Sequence, residues 1–505
     1  MKGGYPMRSK TPSYVVNVKL HLPKSVEAHV EKSFRITNSA YNEALSFGLR
    51  RFEVMKGNPT YQALLTERQS SSDKEQKKDI DRTLTQLRRD YDLTEYGLSN
   101  RLSQQRRIAG SAYRHLNAGE LQVIAGQAYR TLEKVLFYRV KPHRVKFRSK
   151  YDSKVSFRNR VNTEGTRLVP SERKGYTYRL FLHKASTFVD IPVKAFTPYQ
   201  QLSLMRSSRI KYVQVIRQTI RGKRVYFLQI TCEGYPHAKI SKGTGVLGID
   251  PGVSTLAYVS PTEVALVDLV PSQVNRQERL IRSLEQGVEQ SRRVNQPELY
   301  HADGTIKKGV KFQPLSKRAQ RLQVRRQRAY RSLSEERRKI HGALINHLLS
   351  QASIIKIEDL SVQALQKRSR DLRINPKTNR PFSKKRFGKS IFRAAPGTFR
   401  QALLTKANQL GVEVQVISPQ TLKPSQYNHL TQTFEKKPLA TRLFDLSPEW
   451  TGVQRDLYSA FLIRHVEQGT YQEEELTSDF PHFYDLMTQF LQAPIKTSRL
   501  AWYLS

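Results

Sequence analysis

The 505-residue chain sets 87 lysines and arginines against 43 aspartates and glutamates, a formal net charge of +44. A compact body with that excess repels itself, so the charge constrains any fold the chain adopts. The simplest counter-charge is a polyanion whose phosphates run along a groove. An anionic membrane surface is the alternative, but no amphipathic anchor or acylation signal is visible. No run of 18 apolar residues exists, so no transmembrane helix is expected. The first residues, MKGGYPMRSKTPSYVV, carry charge without an apolar core and do not read as a secretory signal. Hydrophobic residues at 38% suffice for ordinary cores, and the length suits two to four domains. The single cysteine, Cys232, excludes an internal disulfide framework and a cysteine-rich zinc site. It fits a reducing, intracellular setting and reads as a small buried residue within YFLQITCEG.

Periodicity divides the chain. YVVNVKLHL (14–22) alternates as a strand stopped by Pro23, and a helical pattern follows over 25–52. Residues 60–140 read as helices almost throughout, with SSSDKEQKKD (70–79) as a polar break. After Pro142 basic and apolar residues alternate in strand-like runs, with Arg-Gly-Lys at a hairpin turn. Tyr226 and Phe227 lie in one such apolar strand and read as core rather than as base-stacking residues. From Gly245 the pattern becomes α/β. VLGID and SIIKIEDL are strands, 316–349 is a long basic helix or helical hairpin, 398–410 is a helix and VEVQVIS a strand. KRSRDLRINPKTNRPFSKKRFGKS (367–390) reads as a basic loop, and 453–466 as the final core helix before a more acidic tail.

Three acidic residues stand out by position. Asp250 ends VLGID, Glu358 ends IIKIE, and Asp456 lies near the start of a helix in QRDLYSAFLI. Functional groups in open α/β sheets gather at strand ends and adjacent helix termini, where a carboxylate can face solvent. Mg²⁺ prefers oxygen ligands, and a pair of such ions can activate water and stabilise the leaving oxygen in phosphodiester cleavage. Each residue also has a structural alternative. Asp250 with Pro251-Gly252 could shape a turn, Asp359 beside Glu358 could cap a helix, and Asp456 could favour a helix N-terminus.

GIDPGVSTLAYVS, KIEDLSV and QRDLYSAFLI, in that order, resemble the three catalytic motifs of RuvC-like, RNase H-fold nucleases. More specifically, the chain resembles TnpB, the transposon-associated RNA-guided nuclease, and the compact type V CRISPR effectors. YHADGTIKKG, SKRAQRLQVRRQRAY, KKRFGKSIFRAAPGTF and SQYNHLT look like segments of one TnpB-like branch. The resemblance implies a multidomain α+β protein: a wedge β-barrel interrupted by a helical recognition lobe, then an α/β RuvC-like nuclease domain. The implied bounds are 1–24 and 142–242 for the wedge, 25–141 for the recognition lobe, 243–466 for the nuclease and 467–505 for a C-terminal extension. It further implies Asp250, Glu358 and Asp456 as catalytic Mg²⁺ ligands, a guide RNA, a double-stranded DNA target with a short adjacent motif, no membrane, and a cytoplasmic, nucleoid-associated place in a prokaryote. Arg321, Arg325, Arg326, Arg328 and Arg331, on the basic helix, and Lys384, Lys385 and Arg386, in the basic loop, are candidate nucleic-acid contacts.

Two departures from that family are plain. Many TnpB proteins carry a four-cysteine zinc ribbon before the third motif, whereas residues 418–453 here contain no cysteine. Thiolate zinc binding is excluded, His429 cannot replace it, and packing through Tyr427, Phe434, Leu443, Phe444 and Trp450 is expected instead. In the third motif, Tyr458-Ser459-Ala460 stands where the family often has Asn-Ala-Ala. These departures keep open an RNA-guided DNA-binding protein or repressor with little cleavage. A transposase that joins strands without a guide is a further alternative.

Overall fold

The computed structural model describes residues 11–137, 142–149, 152, 154–183, 186–220, 222–270, 272–307, 309–310, 313–366, 374–375, 380–381, 387–438 and 441–493. Lys384, Lys385 and Arg386 lie outside the described residues. The chain divides into two compact units, up to His237 and from Ala238.

In the first unit, β1 (Ser13–Leu20) alternates exposed and buried residues without a break. The 33-residue α1 (Lys24–Lys56) follows Pro23. Helices α2 (Pro59–Ser70), α3 (Lys74–Asp90), α4 (Glu95–Arg107) and α5 (Ala118–Leu136) come next. Each starts at a side-chain cap, respectively Asn58, Asp73, Thr94 and Asn117. The polar break is therefore shorter than its sequence suggests. The Asp73 carboxylate accepts from the backbone N–H groups of Glu75 and Gln76, so KEQKKD is already helical. The strands β2 (Lys154–Arg158), β3 (Arg167–Pro170), β4 (Tyr176–Leu182) and β5 (Thr187–Pro192) precede α6 (Pro198–Met205), β6 (Ile210–Ile220) and β7 (Lys223–Glu233).

These strands form a four-stranded sheet in the order β1-β7-β6-β2 and a three-stranded sheet in the order β3-β4-β5. Among the described residues neither closes on itself, so the expected barrel is an arrangement of two open sheets. Their buried faces share one core with α1. Val26, Val30 and Phe34 of α1 enter that core, whereas Ile36, Tyr41 and Leu45 enter the core of the helices. Cys232 is fully buried in the sheet core. Tyr226 is buried as well, and its hydroxyl donates to Glu27 and Glu31 at 2.8 Å each.

The second unit is built on a five-stranded sheet. β8 (Gly245–Pro251), β9 (Thr255–Val259) and β10 (Val264–Asp268) form an antiparallel meander. Helices α7 (Ser272–Asn295) and α8 (Lys317–Gln351) lead to β11 (Ala352–Glu358), which lies parallel to β8. α9 (Pro396–Leu410) leads to β12 (Glu413–Ile417), parallel to β11, so the sheet order is β10-β9-β8-β11-β12. One face, with Leu247, Ile249, Ile355 and Ile357, packs against residues of α7, α8 and α9. The other face receives α10 (Arg455–Arg464) and α11 (Glu473–Gln492).

The final core helix is thus shorter than its 453–466 pattern, and it is not the last. Val453 and Gln454 form a two-residue strand, β14, paired with β13 (Leu443–Phe444). Beyond Glu467, α11 buries Leu476, Phe480, Phe483 and Met487 in the core, because its apolar residues recur at helical spacing among the acidic ones. No helix among the described residues is long and apolar enough to cross a membrane.

Candidate metal centre

Alternation along the two central strands decides which side chains meet. In the parallel pairing of β8 and β11, Gly248 lies opposite Lys356 and Ile249 opposite Ile357. Asp250 and Glu358 follow, each two residues beyond a member of the first pair. Both carboxyls therefore end adjacent strands on the face that receives α10. Asp456 comes to that face from the first turn of α10, which starts at the Gln454 cap; its side-chain oxygen accepts from Leu457 N at 2.6 Å.

A glycine makes the approach possible. A Cβ at Gly248 would lie 2.1 Å from the Ala460 carbonyl oxygen and 2.7 Å from Arg464 N. The backbone of α10 thus rests on the bare backbone of β8, two residues before Asp250.

Asp250 feels the charge of both other acids, whereas Asp359 is the acid that Glu358 feels. Burial, then the Glu358 and Asp456 carboxyls, hold the Asp250 carboxyl well above the usual carboxylate range, against the pull of Arg455. Burial, then Asp359, pushes Glu358 up to about 7. Such a group of half-buried acids is costly without a cation.

The alternatives separate accordingly. The turn after Asp250 is closed by Gly252, whose N–H donates to Thr255 O at 2.9 Å. Asp359 does not cap the next helix. Ser361 does so, and Asp359 instead pairs with Arg400 at 2.8 Å. Asp456 does occupy a helix N-terminal turn, where the dipole favours its charge.

The carboxyl oxygens suit a hard divalent cation in chemistry, but the arrangement falls short of a ready ligand set. Among the described residues no three His, Cys, Asp or Glu side chains are grouped so as to hold a metal ion. Asp456 is engaged elsewhere. Its Oδ2 accepts from Arg442 Nη1 at 3.0 Å, and its Oδ1 from Arg455 Nη2 at 3.0 Å and Nε at 3.2 Å. Nothing in the sequence marked either arginine. Gly248 did leave a signal, as an isolated glycine inside an apolar strand.

The cysteine-free segment before Asp456 is held by aromatic rings. Tyr458, fully buried on α10, accepts from His429 N at 3.1 Å and shares a hydrogen bond with His429 Nδ1 at 2.8 Å. Trp450 packs edge-on against Phe480 and Tyr484 of α11, with centroids 5.3 and 4.8 Å apart. Phe444 meets Tyr458 at 5.6 Å, and Tyr427 stacks on Tyr471 at 4.4 Å. Of the five expected packing residues, Leu443 and Phe434 are instead 54% and 52% exposed. Leu443 precedes the inward Phe444 on a strand and so points outward; Phe434 lies on an exposed strand and meets Tyr427 at a tilt, with centroids 5.0 Å apart. Tyr458→Phe, which removes the hydroxyl and leaves a buried donor of His429 unpaired, is expected to cost about 1–3 kcal/mol in urea unfolding, with no response to zinc chelators in either protein.

The basic α8 carries the other candidates. Arg321, Arg325 and Arg328 are exposed and form one stripe at helical spacing. Arg331 is partly buried, and Arg326 lies 3.9 Å from Glu285.

No family model and no curated protein matches the chain. Among solved structures, it is similar to a Cas12f1–sgRNA–target DNA complex at TM-score 0.43 and 10% identity, over 90% of this chain and 99% of that one. A CRISPR-Cas12f ternary complex gives 0.25 and 11%, over 89% of this chain and 83% of that one. A Cas12i–crRNA–dsDNA complex gives 0.27 and 10%, over 92% and 65% respectively. At these scores the likeness carries no weight for function, which rests on the carboxylates and the charge.

Proposed function

We propose that the chain is an RNA-guided DNA endonuclease of the TnpB type, with one RuvC-like site at Asp250, Glu358 and Asp456. The observation that carries this reading is the placement of Asp250 near the end of β8, Glu358 at the end of β11 and Asp456 in the first turn of α10, on one sheet face of a chain with a net charge of +44. The strand order β10-β9-β8-β11-β12, an antiparallel meander extended by two parallel strands, supports an RNase H-like domain. In this reading the two open sheets of the first unit are the wedge and its helices the recognition lobe, serving a guide RNA and a double-stranded DNA target in the cytoplasm. The exposed arginine stripe of α8 supplies backbone contacts that position nucleic acid without reading its sequence.

Asp250, Glu358 and Asp456 would hold Mg²⁺, which when bound supplies water activation and stabilisation of the leaving oxygen. The chain's own groups do the rest. β8 and β11 fix two carboxyls side by side, Gly248 lets α10 bring the third, and Arg455 orients it. The test is to purify the protein with its copurifying RNA, add Mg²⁺ and a DNA target matched to that RNA, and compare Asp250→Ala. Cleavage by the wild type alone is expected. Absence of cutting, or equal cutting by the variant, would falsify the assignment.

A second reading is an RNA-guided DNA-binding protein with little cleavage. It is favoured by one observation: both Asp456 oxygens already face guanidinium groups. Retained target binding with no Mg²⁺-dependent product would select it.

A further inference from the structure

The two guanidiniums on Asp456 are not equivalent. Arg455 is its sequence neighbour, its side chain is 12% exposed, and two of its nitrogens converge on Oδ1. Arg442 stands 14 residues earlier, its side chain is 62% exposed, and a single nitrogen reaches Oδ2. The backbone nonetheless keeps Arg442 in place. Arg455 N donates to Arg442 O at 2.9 Å, and β13, which begins at the next residue, pairs with β14 directly before α10.

The arrangement has a chemical consequence. A carboxylate oxygen that faces a guanidinium cannot turn to a metal ion without losing that partner, and two cations compete for one charge. The buried pair with Arg455 is expensive to break, because it would strand a desolvated charge. The solvent-exposed pair with Arg442 is worth little by comparison and is screened by salt. Arg455 therefore acts as a fixed counter-ion. Arg442 is the one that can leave, and its length and exposure let it do so without moving β13 or β14.

We propose that Arg442 is an exchangeable counter-ion of the candidate metal centre: it holds Asp456 in the metal-free protein, and a divalent cation must displace it to complete the three-carboxylate set. The inference rests on the nuclease reading above. It accounts for the absence of a ready three-acid ligand group among the described residues even though Asp250 feels both other carboxyls.

The experiment is Mg²⁺ titration by calorimetry, without nucleic acid, on the full chain and on its Arg442→Gln, Arg442→Lys and Asp250→Ala variants. Arg442→Gln is expected to bind Mg²⁺ about 2–5-fold more tightly at low salt, the range set by an exposed ion pair. Raising the salt should narrow the difference between wild type and Arg442→Gln, and Arg442→Lys should behave like wild type. The proposal is overturned if wild type binds Mg²⁺, Asp250→Ala does not, and Arg442→Gln binds with equal or lower affinity; in that case the metal centre stands and only the role of Arg442 falls. If wild type and Arg442→Gln both fail to bind Mg²⁺, the metal centre and the exchange fall together.

Discussion

Asp250→Asn is expected to lower cleavage by more than about 100-fold while raising the melting temperature of the metal-free protein. The two effects share one cause. Asp250 lies one residue before the end of β8, where burial, then Glu358 and Asp456, oppose its ionisation. Its folded pKa lies well above the unfolded value, so folding at neutral pH must either take up a proton or bear the buried charge. A group shifted in that direction destabilises the fold at high pH, and the penalty vanishes as pH falls toward the unfolded value of about 3.8. Asn keeps the shape and removes the charge. At pH 7 the variant is therefore expected to melt above wild type. The gain should shrink steadily on acidification toward pH 4. Thermal melts of wild type and variant across that range provide the check. A variant that melts below wild type at pH 7, or a gain that grows with acid, would show that Asp250 is stabilised by its surroundings and is not held in an unfavourable acidic group.

Gly248→Ala is the second substitution with a large consequence, and it acts on both the fold and the site. A methyl group at this position would stand 2.1 Å from the Ala460 carbonyl oxygen. The obstacle is helix backbone and not a flexible side chain, so the neighbour cannot rotate away. Either α10 moves off the sheet or β8 shifts. Both open the core formed by Leu457, Tyr458, Ala460 and Phe461 against Ala257 and Val259. Overpacking of this kind costs about 1–3 kcal/mol, and more where backbone is involved. The first turn of α10 carries Asp456, so movement of the helix also pulls the third carboxylate from the other two. Loss of Mg²⁺ affinity should therefore accompany the loss of stability in urea unfolding. A methyl group at Gly342, on α8, would meet nothing within 4 Å, and Gly342→Ala serves as the control. A Gly248→Ala protein as stable as wild type would mean that α10 does not rest on β8 as described.

Much of this site was legible as a pattern. Apolar runs bounded by turns gave β8 and β11, and the ends of those runs marked Asp250 and Glu358. Asp456 was visible beside the start of a helix. The sheet order was not legible, because nothing local says that β11 pairs with β8 across α7 and α8. Register was hidden for the same reason, and it is register that sets Glu358 beside Asp250. Arg442 and Arg455 carried no distinguishing signal among 87 basic residues, since their role arises from contact with one carboxylate. Tyr458 was noticed only as a departure from a motif. Its hydrogen bond to His429 depends on two segments 29 residues apart being packed together.

The sequence by itself determined the charge that calls for a polyanion, the absence of cysteine from the segment before Asp456, and the positions of three acids at element ends. These follow from composition and local periodicity, which need no knowledge of partners in space. The tertiary structure decided the rest. Parallel pairing and a bare glycine brought the acids to one face, aromatic rings of α10, α11 and the segment before Asp456 packed together, and two arginines closed on Asp456. Each of these depends on long-range contacts, whose energies come from burial and register that no single stretch of sequence contains.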